Sequence, residues 1–248
     1  MVKGLDTFQK YFADYEEQYV LIGGAACDIL FESNEVNFRA TRDLDMVLIV
    51  EALTPEFGEK FWEFIVDGKY RNKATNGSNP QFYRFDKPED DNFPKMIELF
   101  CRSDFKLKDA KGITPIHIDD EVSSLSAILL NDDYYKALLN GKEVRNGLSV
   151  LRPEYIILFK AKAYLDLKRQ KDLGEKVDSS DIKKHKKDVL RIASELMLEK
   201  VEELPIAVDA DIHSFIDLLE QEPFDQNSLK RYGLKNENVV ELLKRVFG

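Results

Sequence analysis

VLIGGAACDILFESNEVNFRATRDLDMVLIV, residues 20–50, holds a short apolar strand, a Gly-Gly turn, a helix, a polar loop and two aspartates at the head of a second apolar strand. Asp43 and Asp45 stand two residues apart, so in a strand both side chains point to one face. Two carboxylates roughly 7 Å apart at a strand mouth suit a divalent cation. Gly23 and Gly24, just before a helix, offer a place for phosphate oxygens, although such a pair can equally be a tight strand-to-helix turn. Together these features point to metal-assisted chemistry on a nucleotide. Beyond Asp45 the strand is apolar on both faces, as a central, doubly covered strand requires.

Working outward, residues 5–18 carry Leu5, Phe8, Phe12 and Tyr15 at helical spacing. Residues 19–22 and 44–50 read as strands and 25–33 as a helix. Pro55 opens a helix at 55–67, and 74–80 is a loop. Residues 81–85 and 95–101 read as strands around the breaker-rich turn DKPEDDNFP. Over 103–150 the pattern predicts short strands near 115–118 and 125–130 and a turn at Asn140-Gly141. From Pro153 the character becomes helical, with helices at 153–171, 181–199, 209–221 and 236–247. The expected architecture is α/β (α+β): a mixed sheet flanked by helices over 1–150, then a helical domain over 151–248, with the site in the cleft between them.

Glu98 sits in the apolar strand KMIELFC. Left without a partner in a core it would cost several kcal/mol. It therefore needs a metal, an arginine or a solvent-facing edge. If its strand lies beside 44–50, it joins Asp43 and Asp45.

The set Gly23-Gly24, Asp43-Leu44-Asp45 and Glu98 resembles the motif of the nucleotidyltransferase superfamily related to DNA polymerase beta. Arg39-Ala40-Thr41-Arg42 before the acids brings the chain closer to the AbiEii/AbiGii-type nucleotidyltransferase toxins. Lys160 in LFKAKAYLDLKR and His185–Asp188 in KKHKKDV look like the later lysine and K-x-x-D-like elements of that family. The likeness covers residues 19–50 and 95–101 well and 153–192 more loosely. One departure stands out: the superfamily usually has Gly-Ser, and Gly24 supplies no hydroxyl.

The resemblance implies catalysis and metal binding by Asp43, Asp45 and Glu98, with two Mg²⁺ ions, or Mn²⁺ in their place. It implies nucleotide contacts from Gly23, Gly24, Arg39, Thr41, Lys160, His185 and Asp188. The implied reaction moves a nucleoside monophosphate from a triphosphate donor to an acceptor hydroxyl on RNA, a protein or a small molecule. An antitoxin protein would be the partner. The alternative is an inactive nucleotide- or partner-binding module on the same fold.

The residues themselves leave bland readings open. Arg39 and Arg42 can clamp phosphate or balance the carboxylates. Lys160 can reach a phosphate or snorkel along its helix. His185 shares a stripe with Ile182, Val189 and Ile192, where a structural histidine also fits.

Composition narrows the setting. A net charge of −10 over 248 residues disfavours non-specific nucleic-acid binding. Residues 160–191 depart from this, with 11 Lys/Arg against 6 Asp/Glu. Such a segment can face a polyanion or form a solvated helical face. No apolar run approaches the ~20 residues of a membrane span, so no membrane partner is expected. The N-terminus lacks the apolar core of a secretory signal, so the expected location is cytoplasmic. Cys27 and Cys101 form no metal-binding pair and are expected to pack as small hydrophobes.

Overall fold

The computed structural model describes residues 3–32, 43–72, 82–100, 128–129 and 131–248. They fall into two compact units. One holds the described residues as far as Phe100 together with Lys142–Leu151. The other holds Asp132–Gly141 and Arg152–Gly248.

The first unit is built on one mixed sheet. Its helices are α1 (Leu5–Phe12), α2 (Gly23–Glu32) and α3 (Pro55–Asp67). Its strands are β1 (Tyr19–Ile22), β2 (Asp43–Leu48), β3 (Arg71–Asn72), β4 (Phe82–Asp86), β5 (Met96–Phe100), β6 (Lys142–Arg145) and β7 (Leu148–Leu151). The seven strands lie in the order β3-β4-β5-β2-β1-β7-β6. β2 is therefore the middle strand, and from Met46 to Leu48 it is buried throughout. It runs parallel to β5 and antiparallel to β1. Because β1 ends where β2 begins, the glycines after Ile22 must lie beside the aspartates that open β2.

Aromatic packing covers one face of the sheet. Phe8 meets Tyr19 edge-on at 5.5 Å and Phe64 at 5.8 Å, and Phe61 meets Phe85 at 5.6 Å. Tyr19 and Phe85 belong to the face that alternation sets opposite Asp43, Asp45 and Glu98. Helices α1 and α3 thus pack on the face opposite the acids. Thr54 caps α3 by accepting from the Phe57 amide at 3.3 Å, and Pro55 occupies its first turn, as expected.

Several boundaries move. Helix α1 stops at Phe12 rather than 18, because Asp14 takes a left-handed conformation. Tyr15 lies past its end but still packs on Phe57 at 5.8 Å. Helix α2 begins at Gly23, directly after β1, rather than at 25. The strand expected at 125–130 is not found where the structure describes it: Ile128 and Leu129 are helical. The turn expected at Asn140-Gly141 is the end of a helix instead. The hairpin turn falls six residues later, at Asn146-Gly147, where both residues have positive φ and join β6 to β7. The loop at 74–80, the strand at 115–118 and Cys101 lie outside the described residues. Cys27 is buried in α2.

The second unit consists of α4 (Asp132–Gly141), α5 (Pro153–Asp172), α6 (Ser179–Glu195), α7 (Ile206–Gln221), α8 (Gln226–Arg231) and α9 (Asn236–Phe247). A single division at residue 150 sets Asp132–Gly141 with the sheet, whereas this helix belongs with the helices. Its Tyr134 packs edge-on to Phe159 at 5.5 Å and donates its hydroxyl to Asp211 at 3.0 Å. Asp178 caps α6 through the Ser180 amide at 2.8 Å.

Glu154, in the first turn of α5, is 2% exposed and accepts from the Glu199 amide. Burial pushes its carboxyl above the usual carboxylate range. Between the ordinary and the raised value the native state binds more protons than the unfolded chain, so stability falls as pH rises through that window. Glu154→Gln removes this decline. Melting curves at about pH 4 and about pH 7 are expected to show a smaller loss in the variant; parallel losses would contradict the assignment.

Candidate functional site

Strand register builds a polar row across the centre of the sheet. Ile22 of β1 pairs with Asp45 of β2, Asp45 with Glu98 of β5, and Glu98 with Arg84 of β4. Register partners on neighbouring strands share a face, about 4.8 Å apart. Asp43 opposes Met96 one pleat away on that same face. The three acids foreseen from sequence are therefore on adjacent strands and on one side. Further along this face Val20, Val47 and Phe100 are buried, so the polar row borders an apolar floor.

Gly23 closes the row at the β1 end. Its φ is +61°, and a Cβ there would lie 2.3 Å from Oδ2 of Asp45. No side chain fits while Asp45 keeps its place. The Asp45 carboxylate thus sits against the first residue of α2, at the helix end whose partial positive charge favours anions. Gly24 follows within the first turn. The tight strand-to-helix turn expected of the glycine pair is present.

Glu98 is 7% exposed. Its Oε1 accepts from Nε of Arg84 at 2.8 Å and from a terminal guanidinium nitrogen at 2.5 Å. Of the partners expected for this buried acid, the structure supplies the arginine. Both N–H groups converge on the same oxygen. Sequence reading missed Arg84, yet a signal was present. An arginine in the apolar run QFYRF, with a turn between it and Glu98, stands in a hairpin where cross-strand charge pairs form.

Removing this cation leaves a buried carboxylate without it. Arg84→Met is expected to lower stability by about 1–2 kcal/mol, less than for a fully dry pair because the Arg84 side chain is 22% exposed. Adding Glu98→Met should recover most of the loss. Denaturant titration of the two variants checks this, and an equal loss in the double variant would contradict it.

Among the described residues, no three of His, Cys, Asp and Glu gather closely enough to enclose a metal ion by themselves. Magnesium does not need such a cage: it is bound by one or two carboxylates, with waters and substrate phosphates completing the shell. Asp43 and Asp45, hard oxygen donors on one face beside a helix N-terminus, fit that demand.

Arg39, Thr41 and Arg42 lie outside the described residues. Lys160, His185 and Asp188 are in the helical unit. There Nζ of Lys160 meets Oδ2 of Asp188 at 3.0 Å, with both side chains largely buried, tying α5 to α6. No helix among the described residues is long and apolar enough to cross a membrane.

No family model matches the sequence, and no curated protein matches it. The chain is similar to the solved structure of an antigenic nucleotidyltransferase-like protein from Paracoccidioides brasiliensis. The TM-score is 0.47 and the identity 16%, covering 98% of this chain and 93% of that one.

Proposed function

We propose that the chain is a metal-dependent nucleotidyltransferase, moving a nucleoside monophosphate from a nucleoside triphosphate to an acceptor hydroxyl. The observation that carries this reading is the seating of the Asp45 carboxylate on Gly23, in register with Glu98 and one pleat from Asp43. Asp43 and Asp45 would hold Mg²⁺, or Mn²⁺ in its place. The ion would neutralise charge on the donor phosphates.

The backbone N–H groups at the start of α2 take over the phosphate contact that a serine hydroxyl makes in related motifs. The acceptor oxygen bonds to the α-phosphorus as the bond to the β-phosphate bridge breaks. Pyrophosphate leaves and the hydroxyl proton passes to solvent. Such chemistry depends on position and charge neutralisation rather than on a covalent enzyme intermediate. A second ion on Glu98 would have to use the oxygen that Arg84 does not.

Incubation with each α-labelled triphosphate, Mg²⁺ and candidate acceptors tests the reading. Label transferred in a Mg²⁺-dependent way is expected. Triphosphate binding without transfer to any acceptor would overturn it. That outcome favours the second reading, an inactive binding module, for which the Arg84–Glu98 pair is the supporting observation.

The sequence likeness to nucleotidyltransferase toxins adds growth arrest on expression and neutralisation by a partner antitoxin. Expression of the chain with and without its genomic neighbours tests that role separately.

A further inference from the structure

Helices α5 and α6 of the second unit line a cavity of about 660 Å³. Lys168 and Lys171 come from α5, and Lys183, Lys186 and Lys187 from α6. Residues three and four apart on a helix stand about 4.5 and 6 Å apart along its axis. The cavity is thus lined by lysines from two helices in a protein whose net charge is −10; Lys168 pairs with Glu222 and Lys171 donates to the Ser179 hydroxyl.

Three acids also line it, and two of them already hold bonds within the protein. Glu222 accepts from Lys168 at 2.9 Å and from the Tyr164 hydroxyl at 3.3 Å. Asp225 caps α8 through the amide and hydroxyl of Ser228, each at 2.9 Å. Asp172 is exposed at the end of α5.

Lys186 is fixed in the wall. Its ammonium donates to the carbonyls of Glu222 and Pro223 and stands 5.7 Å from the ring centre of Tyr164 and 5.5 Å from that of Phe224. Burial lowers its pKa, so its charge is poorly solvated as the wall stands. Lys183 and Lys187 are exposed.

We propose that this cavity binds a linear polyphosphate, an anion carrying three or more linked phosphate groups. The volume falls among pockets for small molecules rather than among tracks for a nucleic-acid strand. Lysines spread over two helices match several linked phosphates, whereas a single phosphate can reach few of them. The site goes beyond the transferase reading, since it uses none of Asp43, Asp45 and Glu98.

Titration calorimetry of the full chain with inorganic tripolyphosphate, in chelator and low salt, tests it. Saturable binding is expected in the wild type and, unchanged, in Asp45→Asn. Lys183→Ala/Lys187→Ala is expected to weaken binding at least about tenfold with the melting temperature unchanged, and Lys171→Ala to weaken it further. Inorganic phosphate should bind at least about tenfold more weakly.

A matching ATP titration separates a nucleotide source from an inorganic one. Binding at least as tight as that of tripolyphosphate, with the same sensitivity to the lysines, marks a nucleotide. Absent binding, indifference to the lysine substitutions, loss of binding in Asp45→Asn, or a preference for single-stranded RNA would each overturn the proposal.

Discussion

Asp45→Asn is expected to abolish nucleotidyl transfer, with a loss of about a thousandfold or more, while the fold melts within about 2 °C of the wild type. The substitution keeps the side chain's shape and removes its charge. If Asp43 and Asp45 share an ion on the donor phosphates, each supplies half of the protein's ligands to it. Losing one anionic ligand weakens the ion and misplaces the phosphates together.

Stability should not follow activity. Asp45 and Glu98 are cross-strand neighbours of like charge, and neutralising one of such a pair relieves repulsion. Steady-state transfer with α-labelled donor, paired with a thermal melt, separates the two effects. Activity within about threefold of wild type would remove Asp45 from the reaction. A collapse of the melt would recast it as a structural residue. Asp43→Asn is expected to behave alike.

Much of this site was legible because the sequence puts chemistry where packing forbids it. Asp43, Asp45 and Glu98 interrupt apolar strands, and an acid in such a strand needs a reason. The pairing of β2 with β5 was legible only as a condition, that Glu98 joins the aspartates if its strand lies beside 44–50; its parallel sense comes from the structure.

Arg84 was harder. Alternation places it, but only the register of β4 against β5 shows that it meets Glu98 rather than solvent. The Asn-Gly dipeptides show the same limit from another side. Asn140-Gly141 and Asn146-Gly147 are chemically identical, and local propensity cannot rank them. Tertiary packing does: Tyr134, Tyr135, Ala137 and Leu138 give residues before Gly141 a buried helical face. Gly141 itself lies under the Tyr155 ring, where a Cβ would come within 2.3 Å. Its glycine serves close packing, and the second pair is left to make the turn. The lysine-lined cavity was half visible as a local charge excess, but which lysines line it depends on how α5 meets α6.

Gly23→Ala is expected to lower stability by about 3 kcal/mol and to remove activity as well. Two separable costs act at this position. The backbone φ of +61° disfavours any L side chain, by about 1–2 kcal/mol. The new methyl group would also stand 2.3 Å from Oδ2 of Asp45, so the carboxylate must swing away. The first cost belongs to the turn alone. The second belongs to the pair and moves the group that the reaction needs.

A double-mutant cycle tells them apart. Asp45→Ala removes the colliding atoms, so the added cost of Gly23→Ala should fall to the backbone part, about 1–2 kcal/mol. The difference, a coupling of at least about 1 kcal/mol, measures how tightly the carboxylate is held on the helix N-terminus. Additive effects would mean that Asp45 does not rest on Gly23 in solution. The transferase reading would then lose the contact that joins its phosphate-binding turn to its acids.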